Sequence, residues 1–409
     1  MSPSPCRFCG APLEAVFADL GMSPLANSYV PPDRANAMEP FYPLRVLVCA
    51  NCFLVQLEEF ESPDAIFSDY AYFSSYSTSW LDHARRYTEA MIERFGLTGE
   101  SQVVELASND GYLLQYFVER GVPVLGVEPA ANVAEVAVAK GVPTEVAFFG
   151  VDTATRLAER GQANLIAANN VMAHVPDLND FVGGMKVLLA PGGVITVEFP
   201  HLKRLIDENQ WDTVYHEHFS YFSFTVVQRV FEAHGLRLFD VEELPTHGGS
   251  LRIFGCHADD AREETERAVE LAERERAAGF GDLETYTAYG QRVISDKRDI
   301  LEFLIALKRE GKRVVGYGAP AKGNTLLNYC GVGTDFLDYT VDLNPHKQGT
   351  LLPGSRIPVR TPEDLEADQP DVVVILPWNL RDEITEQLAF IREWGGRFAA
   401  RSPELRLLD

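Results

Sequence analysis

The 409-residue chain is long enough for about two or three domains, and its 46% hydrophobic and 23% charged residues sit near globular averages, which excludes a disordered or fibrous protein. A formal net charge of −24 argues against a nucleic-acid substrate, because a phosphate backbone is met by lysine and arginine surfaces. No run approaches the roughly 18 consecutive apolar residues of a membrane helix, and the opening MSPSPCRFCG lacks a basic stretch followed by an apolar one, so a cytoplasmic protein with no membrane partner is expected.

Residues 1–74 read as a small module rich in proline and turn residues, with the apolar run Leu44 to Val48 just before the second of two C-x-x-C pairs. Cys6, Cys9, Cys49 and Cys52 supply four thiolates, the donor set of a closed tetrahedral zinc site. With no open position, the metal is expected to staple a core too small to hold itself rather than to catalyse. Cys256 and Cys330 stand alone and read as small buried hydrophobes.

A helical pattern over Thr78 to Phe95 opens the next region, 75–255. Strands are expected at 102–106, 122–127, 163–168 and 194–198, with helices at 111–120, 133–140 and 180–189 between them; strict alternation implies α/β architecture with an open, doubly wound, mostly parallel sheet. Residues 256–310, dense in Glu, Arg and Ala, read as two connector helices broken near Gly279-Phe280-Gly281. A second α/β unit fills 311–409, with strands at 313–318, 338–341 and 371–376.

Ligands of such sheets bind outside the strand carboxyl ends. The first strand runs into Glu105, Ala107, Ser108, Asn109, Asp110 and Gly111, and the second ends in Glu128-Pro129, where a carboxylate can accept both hydroxyls of an adenosine ribose. The pyrophosphate-binding G-x-G-x-x-G is missing, which disfavours NAD and suits a nucleoside whose other end is a cationic amino acid. The pattern resembles class I S-adenosylmethionine methyltransferases, although its first loop departs from their commoner triple-glycine form. Asn169 and Asn170 follow the next strand and complete the expected donor set, with His174 close behind. Tyr215-His216-Glu217-His218 offers either a general base or a metal site; adjacent residues diverge in direction, which favours the base.

In the last region, Gly318 and Lys322 with Asn324 form a glycine-rich turn at a helix start, an anion site by its free N–H groups. Asp342, Asn344 and Lys347, and Trp378 with Asn379, stand at neighbouring strand ends. Taken alone, this region also suits NAD, with Asp342 as the ribose acid.

Seven segments together make the chain resemble the sugar C-methyltransferases of deoxysugar biosynthesis: the two C-x-x-C pairs, Tyr-Phe-Ser-Ser-Tyr-Ser at 72–77, Asn-Asp-Gly at 109–111, Asn-Asn-Val-Met-Ala-His at 169–174, Tyr-His-Glu-His at 215–218, Thr-His-Gly-Gly-Ser at 246–250 and Gly-Tyr-Gly-Ala-Pro-Ala-Lys-Gly at 316–323. The resemblance implies a small N-terminal zinc-binding module, a central class I methyltransferase sheet and a C-terminal Rossmann-like domain. It also implies a nucleotide-linked 4-keto-6-deoxy sugar as substrate, thymidine-linked and methylated at C3 in antibiotic sugar biosynthesis, with S-adenosylmethionine and structural zinc as cofactors. His218 would be the base, with Tyr215, Glu217, His174 and Tyr72 or Tyr76 around the sugar, and the grip of the last region would hold the nucleotide. A monomer or weak oligomer is expected. The competing functions are an NAD-dependent sugar-nucleotide oxidoreductase and a non-catalytic nucleotide-binding protein.

Overall fold

A computed structural model of the chain describes residues 4–60, 74–76, 78–401 and 404–408, with only the backbone of Tyr76 and Thr78. Two compact units emerge: one gathers Met1–Leu13, Cys49–Leu202 and Phe219–Gly281, the other Glu14–Val48, Lys203–His218 and Asp282–Asp409. Strands are numbered along the chain.

The second unit begins with β1 (Ala15–Ser23) and β2 (Tyr42–Val48), an antiparallel pair whose register shifts twice. In the first unit, β3 (Val55–Leu57) is followed by β4 (Val103–Leu106), β5 (Val124–Glu128), β6 (Thr144–Val146), β7 (Ala163–Asn169) and β8 (Leu189–Pro200). Then come β9 (Ser220–Tyr221), which pairs with β3, β10 (Leu236–Leu244) and β11 (Ser250–His257). The main sheet runs β10-β11-β8-β7-β4-β5-β6, parallel from β8 to β6, with β11 antiparallel to both its neighbours. Every residue of β4 is buried, as a strand covered on both faces requires. The helix Thr78–Phe95 turns Ala84, Tyr87 and Met91 inward at three- and four-residue spacing, against a core that includes Val103, Leu165, Val194 and Phe254.

The α/β, doubly wound expectation therefore holds, and several elements differ in extent. The helix expected over 111–120 spans only Leu114–Glu119, because Asn109 and Gly111 take positive φ and keep the chain in a loop. The strand expected to start at Val194 already starts at Leu189: Leu189 pairs with Ala163, and an irregularity before Leu165 absorbs the Pro-Gly-Gly turn. The short parallel strand β6 has three residues, none of them buried, and carries no apolar run to mark it.

In the second unit, β12 (Val314–Tyr317), β13 (Thr340–Val341), β14 (Val359–Arg360), β15 (Val372–Ile375), β16 (Arg397–Arg401) and β17 (Leu405–Leu407) form a sheet of order β14-β13-β12-β15-β16-β17. It is parallel except for β17, and the helix Ala321–Cys330 follows β12. No described helix is long and apolar enough to cross a membrane.

Candidate functional site

The metal centre is built by two tight knuckles. Gly10 N–H donates to Cys6 O and Phe53 N–H to Cys49 O, both at 2.9 Å, and Gly10 and Phe53 turn the chain with positive φ after each pair. The sulfurs of Cys6 and Cys52 lie 3.6 Å apart and those of Cys9 and Cys49 3.5 Å; all four fall within 4.8 Å of one another. Tetrahedral zinc with bonds of about 2.3 Å needs sulfurs about 3.8 Å apart, so the set fits the ion. The Gln56 amide donates to Cys6 Sγ at 3.1 Å and supports a thiolate there. These four cysteines lie close enough together to hold a structural zinc ion, which they would ligate with four protein thiolates.

The parallel order reverses between β4 and β7, so their following loops open the crevice where such sheets bind ligands. Three non-glycine residues there, Ala107, Asn109 and Asn170, hold left-handed backbone, a cost of about 1–2 kcal/mol each that is characteristic of functional loops. Glu105 is 1% exposed, and neither carboxylate oxygen has a hydrogen bond of ordinary geometry, although the Tyr112 hydroxyl lies near enough to favour ionisation. Burial dominates and pushes the Glu105 pKa well above the usual carboxylate range. Ser108 Oγ, Asp110 Oδ1 and the side-chain amides of Asn169 and Asn170 are likewise buried without such partners. An isolated buried polar atom is costly, so this cradle fits a ligand that carries an ammonium group and several donors and acceptors, as S-adenosylmethionine does.

Glu128 accepts from Asn109 N–H and Ala130 N–H, each at 2.9 Å, and burial raises its pKa. Its oxygens keep spare lone pairs for a ribose, and Pro129 leads into the helix Ala131–Ala139. Sequence reasoning missed Lys140, whose ammonium pairs with Asp110 Oδ2 at 2.9 Å and donates to Ser75 Oγ at 2.7 Å. Ser74 N–H donates to Asn109 Oδ1 at 2.9 Å, so residues 74–75 lie directly on the donor loop. His174 closes the short turn after β7. Tyr72 and the side chain of Tyr76 lie outside the described residues.

In the second unit, Tyr215 Oη lies 2.8 Å from His218 Nε2, their rings 4.1 Å apart between centroids. Glu217 is 5% exposed, and the Asn27 amide donates to its two oxygens at 2.7 and 3.0 Å. His216 is turned away to Pro43 O at 3.2 Å and packs edge-on against Tyr42. The base reading and not the triple metal site is what this divergence suits.

The sheet ends of the same unit gather the remaining candidates. Lys322 Nζ donates to Asn379 Oδ1 at 2.7 Å and sits 4.5 Å from the Trp378 ring centroid, and burial pushes the ammonium pKa down to about 8. The Trp378 indole donates to Asp212 Oδ2 at 2.6 Å, and Arg401 to Asp212 Oδ1 at 2.8 Å. Gly318 takes φ +86°, packed so that a Cβ would meet the Pro377 ring. Asp342 accepts from Ala319 N–H at 2.7 Å and Asn344 N–H at 2.8 Å, while Lys347 donates to Ala319 O at 2.9 Å. Asn324 is 1% exposed and donates to Ala26 O at 2.7 Å. The asparagine and tyrosine at 27 and 29 were invisible to spacing arguments, because their partners are remote in sequence.

Residues 80–241 match the family model described as a methyltransferase domain. With the orphaned donor cradle at the switch point, this defines an S-adenosylmethionine-dependent methyltransferase. Residues 6–67 match a zinc binding domain and residues 245–403 a C-methyltransferase C-terminal domain. The chain is 38% identical to the C-methyltransferase NovU of Streptomyces niveus over 405 residues, 99% of this chain and 96% of that one, and it belongs to this C-methyltransferase family. Among solved structures, a Synechocystis magnesium protoporphyrin IX methyltransferase with bound SAM is 11% identical, with a TM-score of 0.34 over 43% of this chain and 78% of that one. A SAM-dependent methyltransferase from Anabaena variabilis is 14% identical, with a TM-score of 0.35 over 49% of this chain and 100% of that one.

Proposed function

We propose that the enzyme methylates C3 of a nucleotide-linked 4-keto-6-deoxy sugar, in the assembly of an antibiotic sugar. The observation that carries the reading is the contact between Tyr215 and His218, a phenol 2.8 Å from an imidazole nitrogen in a polar, largely buried segment. Carbon beside a ketone is not a nucleophile until it loses a proton, and histidine is the side chain whose ordinary pKa suits that transfer near neutrality.

Bound S-adenosylmethionine supplies an electrophilic methyl group on sulfur. Glu105, Asn169 and Asn170 hold its amino-acid end and Glu128 its ribose, with Ser108, Asp110, Gly111 and Pro129 shaping the loops. His218 takes the C3 proton at a ring nitrogen; the C–H bonding pair moves into the enolate, whose oxygen needs a donor. Tyr215 orients the imidazole, and Glu217 fixes the segment. Sugar contacts at His174 and at Tyr72 or Tyr76 rest on the family likeness. Gly318, Lys322, Asn344, Lys347, Trp378 and Asn379 grip the nucleotide diphosphate, with Asn324 and Asp342 shaping that loop. The division into a zinc module at 1–74, a transferase at 75–255, a connector at 256–310 and a sugar-nucleotide domain at 311–409 belongs to the same proposal, as do a cytoplasmic location and a monomer or weak oligomer.

The test is proton exchange in deuterated water with S-adenosylhomocysteine, which cannot methylate. Wild-type enzyme is expected to exchange the C3 proton of a thymidine-linked 4-keto-6-deoxy sugar. His218→Ala should lose exchange and methylation together by about 10²–10⁴-fold, with binding largely kept. Near-normal turnover in His218→Ala, with loss in His174→Ala, would show the base to be elsewhere.

A further inference from the structure

Glu217 is a carboxylate 5% exposed in a segment whose neighbours are aromatic and imidazole rings. Burial raises its pKa, and the hydrogen bond from Asn27 opposes that rise. A carboxylate only accepts, so the amide end facing it is the NH2 group and the orientation of Asn27 is fixed. The Asn27 residue itself is exposed. It therefore reaches inward from the surface to a nearly inaccessible acid.

The residues on either side of Asn27 are tied as firmly. Ala26 O accepts from the Asn324 amide at 2.7 Å, at the start of the helix Ala321–Cys330. The Tyr29 hydroxyl donates to Ala319 O, which also accepts from Lys347 at 2.9 Å. Lys347 Nζ lies 5.5 Å from the Tyr29 ring centroid. One four-residue stretch thus touches the Tyr-His-Glu-His segment on one side and the glycine-rich turn on the other, all within the second unit.

We propose that Asn27 is a positioning residue for the methylation reaction: its amide sets the orientation of Glu217, and the stretch Ala26–Tyr29 carries the placement of the glycine-rich turn to that acid. The inference rests on the proposed role of Glu217 in fixing the segment that carries Tyr215 and His218. A bond that served packing alone would be indifferent to which partner is the acid and which the amide, whereas a bond that prepares a catalytic segment would not be.

That difference defines the experiment, run on the full chain with thymidine-diphosphate 4-keto-6-deoxyglucose as probe. Asn27→Asp, Glu217→Gln and the exchanged double variant Asn27→Asp/Glu217→Gln are compared for kcat, KM, C3 proton exchange and melting temperature. Asn27→Asp is expected to lower kcat and exchange together by about 10–100-fold, the scale of a displaced catalytic group, with KM changed by less than about threefold. The exchanged variant restores a donor facing an acceptor, so its melting temperature should return towards wild type while kcat stays low. Recovery of kcat in the exchanged variant would overturn the inference, as would normal kcat in Asn27→Asp. Loss of activity in Glu217→Gln with normal Asn27→Asp sinks only the role of Asn27; normal activity in Glu217→Gln sinks the role of Glu217 and this inference with it. If Asn27→Asp does not fold, Asn27→Ser takes its place: it withdraws the amide without adding a charge, the same fall in kcat and exchange is expected, and a normal kcat overturns the inference.

Discussion

Glu105 is a fully buried carboxylate whose oxygens have no hydrogen bond of ordinary geometry, with only the Tyr112 hydroxyl near enough to favour the ion. Burial raises the folded pKa above the unfolded one, so the neutral acid is tolerated and the ion is not. Stability from this group is present below the unfolded pKa and is lost as pH rises through the raised folded value. Glu105→Gln removes that penalty, and near neutral pH it should stabilise the ligand-free protein by about 1 kcal/mol, seen as a higher melting temperature that converges on wild type in acid. The same change should weaken S-adenosylhomocysteine binding by about 10–100-fold in calorimetry, the worth of a charge-assisted hydrogen bond. A variant less stable than wild type and equally tight would show that Glu105 supports the fold and not the donor. Acids at strand tips were readable because strand and tip are contiguous; Lys140 and Asn27 were not, since one meets Asp110 across 30 residues and the other meets Glu217 across 190.

Among elements, the strand-loop junctions carry the most information. Gly126 in β5 faces the donor loop of the neighbouring strand: a Cβ there would overlap the Ser108 hydroxyl and stand 2.9 Å from Ser108 Cβ. Gly126→Ala should therefore cost about 1–3 kcal/mol in unfolding experiments, as overpacking does, and loosen S-adenosylhomocysteine binding in parallel. Adding Ser108→Gly should recover part of the stability; no recovery would place the strain elsewhere. The long helix Thr78–Phe95 was legible to the residue because its apolar stripe repeats over five turns, and buried strands such as β4, β12 and β15 announce themselves as apolar runs. Short elements give no such signal. β6 is held by its neighbour's backbone, and the 3-10 turn at Met172–His174 by what precedes it, so periodicity had nothing to report there.

Over the whole molecule, the chain passes from one unit to the other after Leu13, Val48, Leu202, His218 and Gly281. The zinc ligands flank the first excursion: Cys6 and Cys9 precede it and Cys49 and Cys52 follow it, with 40 positions separating Cys9 from Cys49. A cross-link that closes such a loop is worth on the order of 4 kcal/mol of chain entropy. Chelation should lower stability by about that amount, reversibly on adding zinc, and metal analysis should find one equivalent per chain that is lost in Cys49→Ser/Cys52→Ser. Unchanged zinc in that variant would refute the ligand set. Within the second unit, Arg401 pairs with Asp212 at 2.8 Å and with Asp296 at 2.6 Å, so a residue near the chain's end fixes the segment that leads to Tyr215 and His218. The five passages also constrain engineering. Neither unit is a continuous stretch, so a single cut cannot release it, and a chimera meant to exchange the second unit must transplant 14–48, 203–218 and 282–409 as one set. A graft of the C-terminal segment alone would bring a foreign glycine-rich turn against the host's own Tyr29 and leave Asn27 and Glu217 behind, so the interchangeable part of this enzyme is a set of three separate stretches of gene.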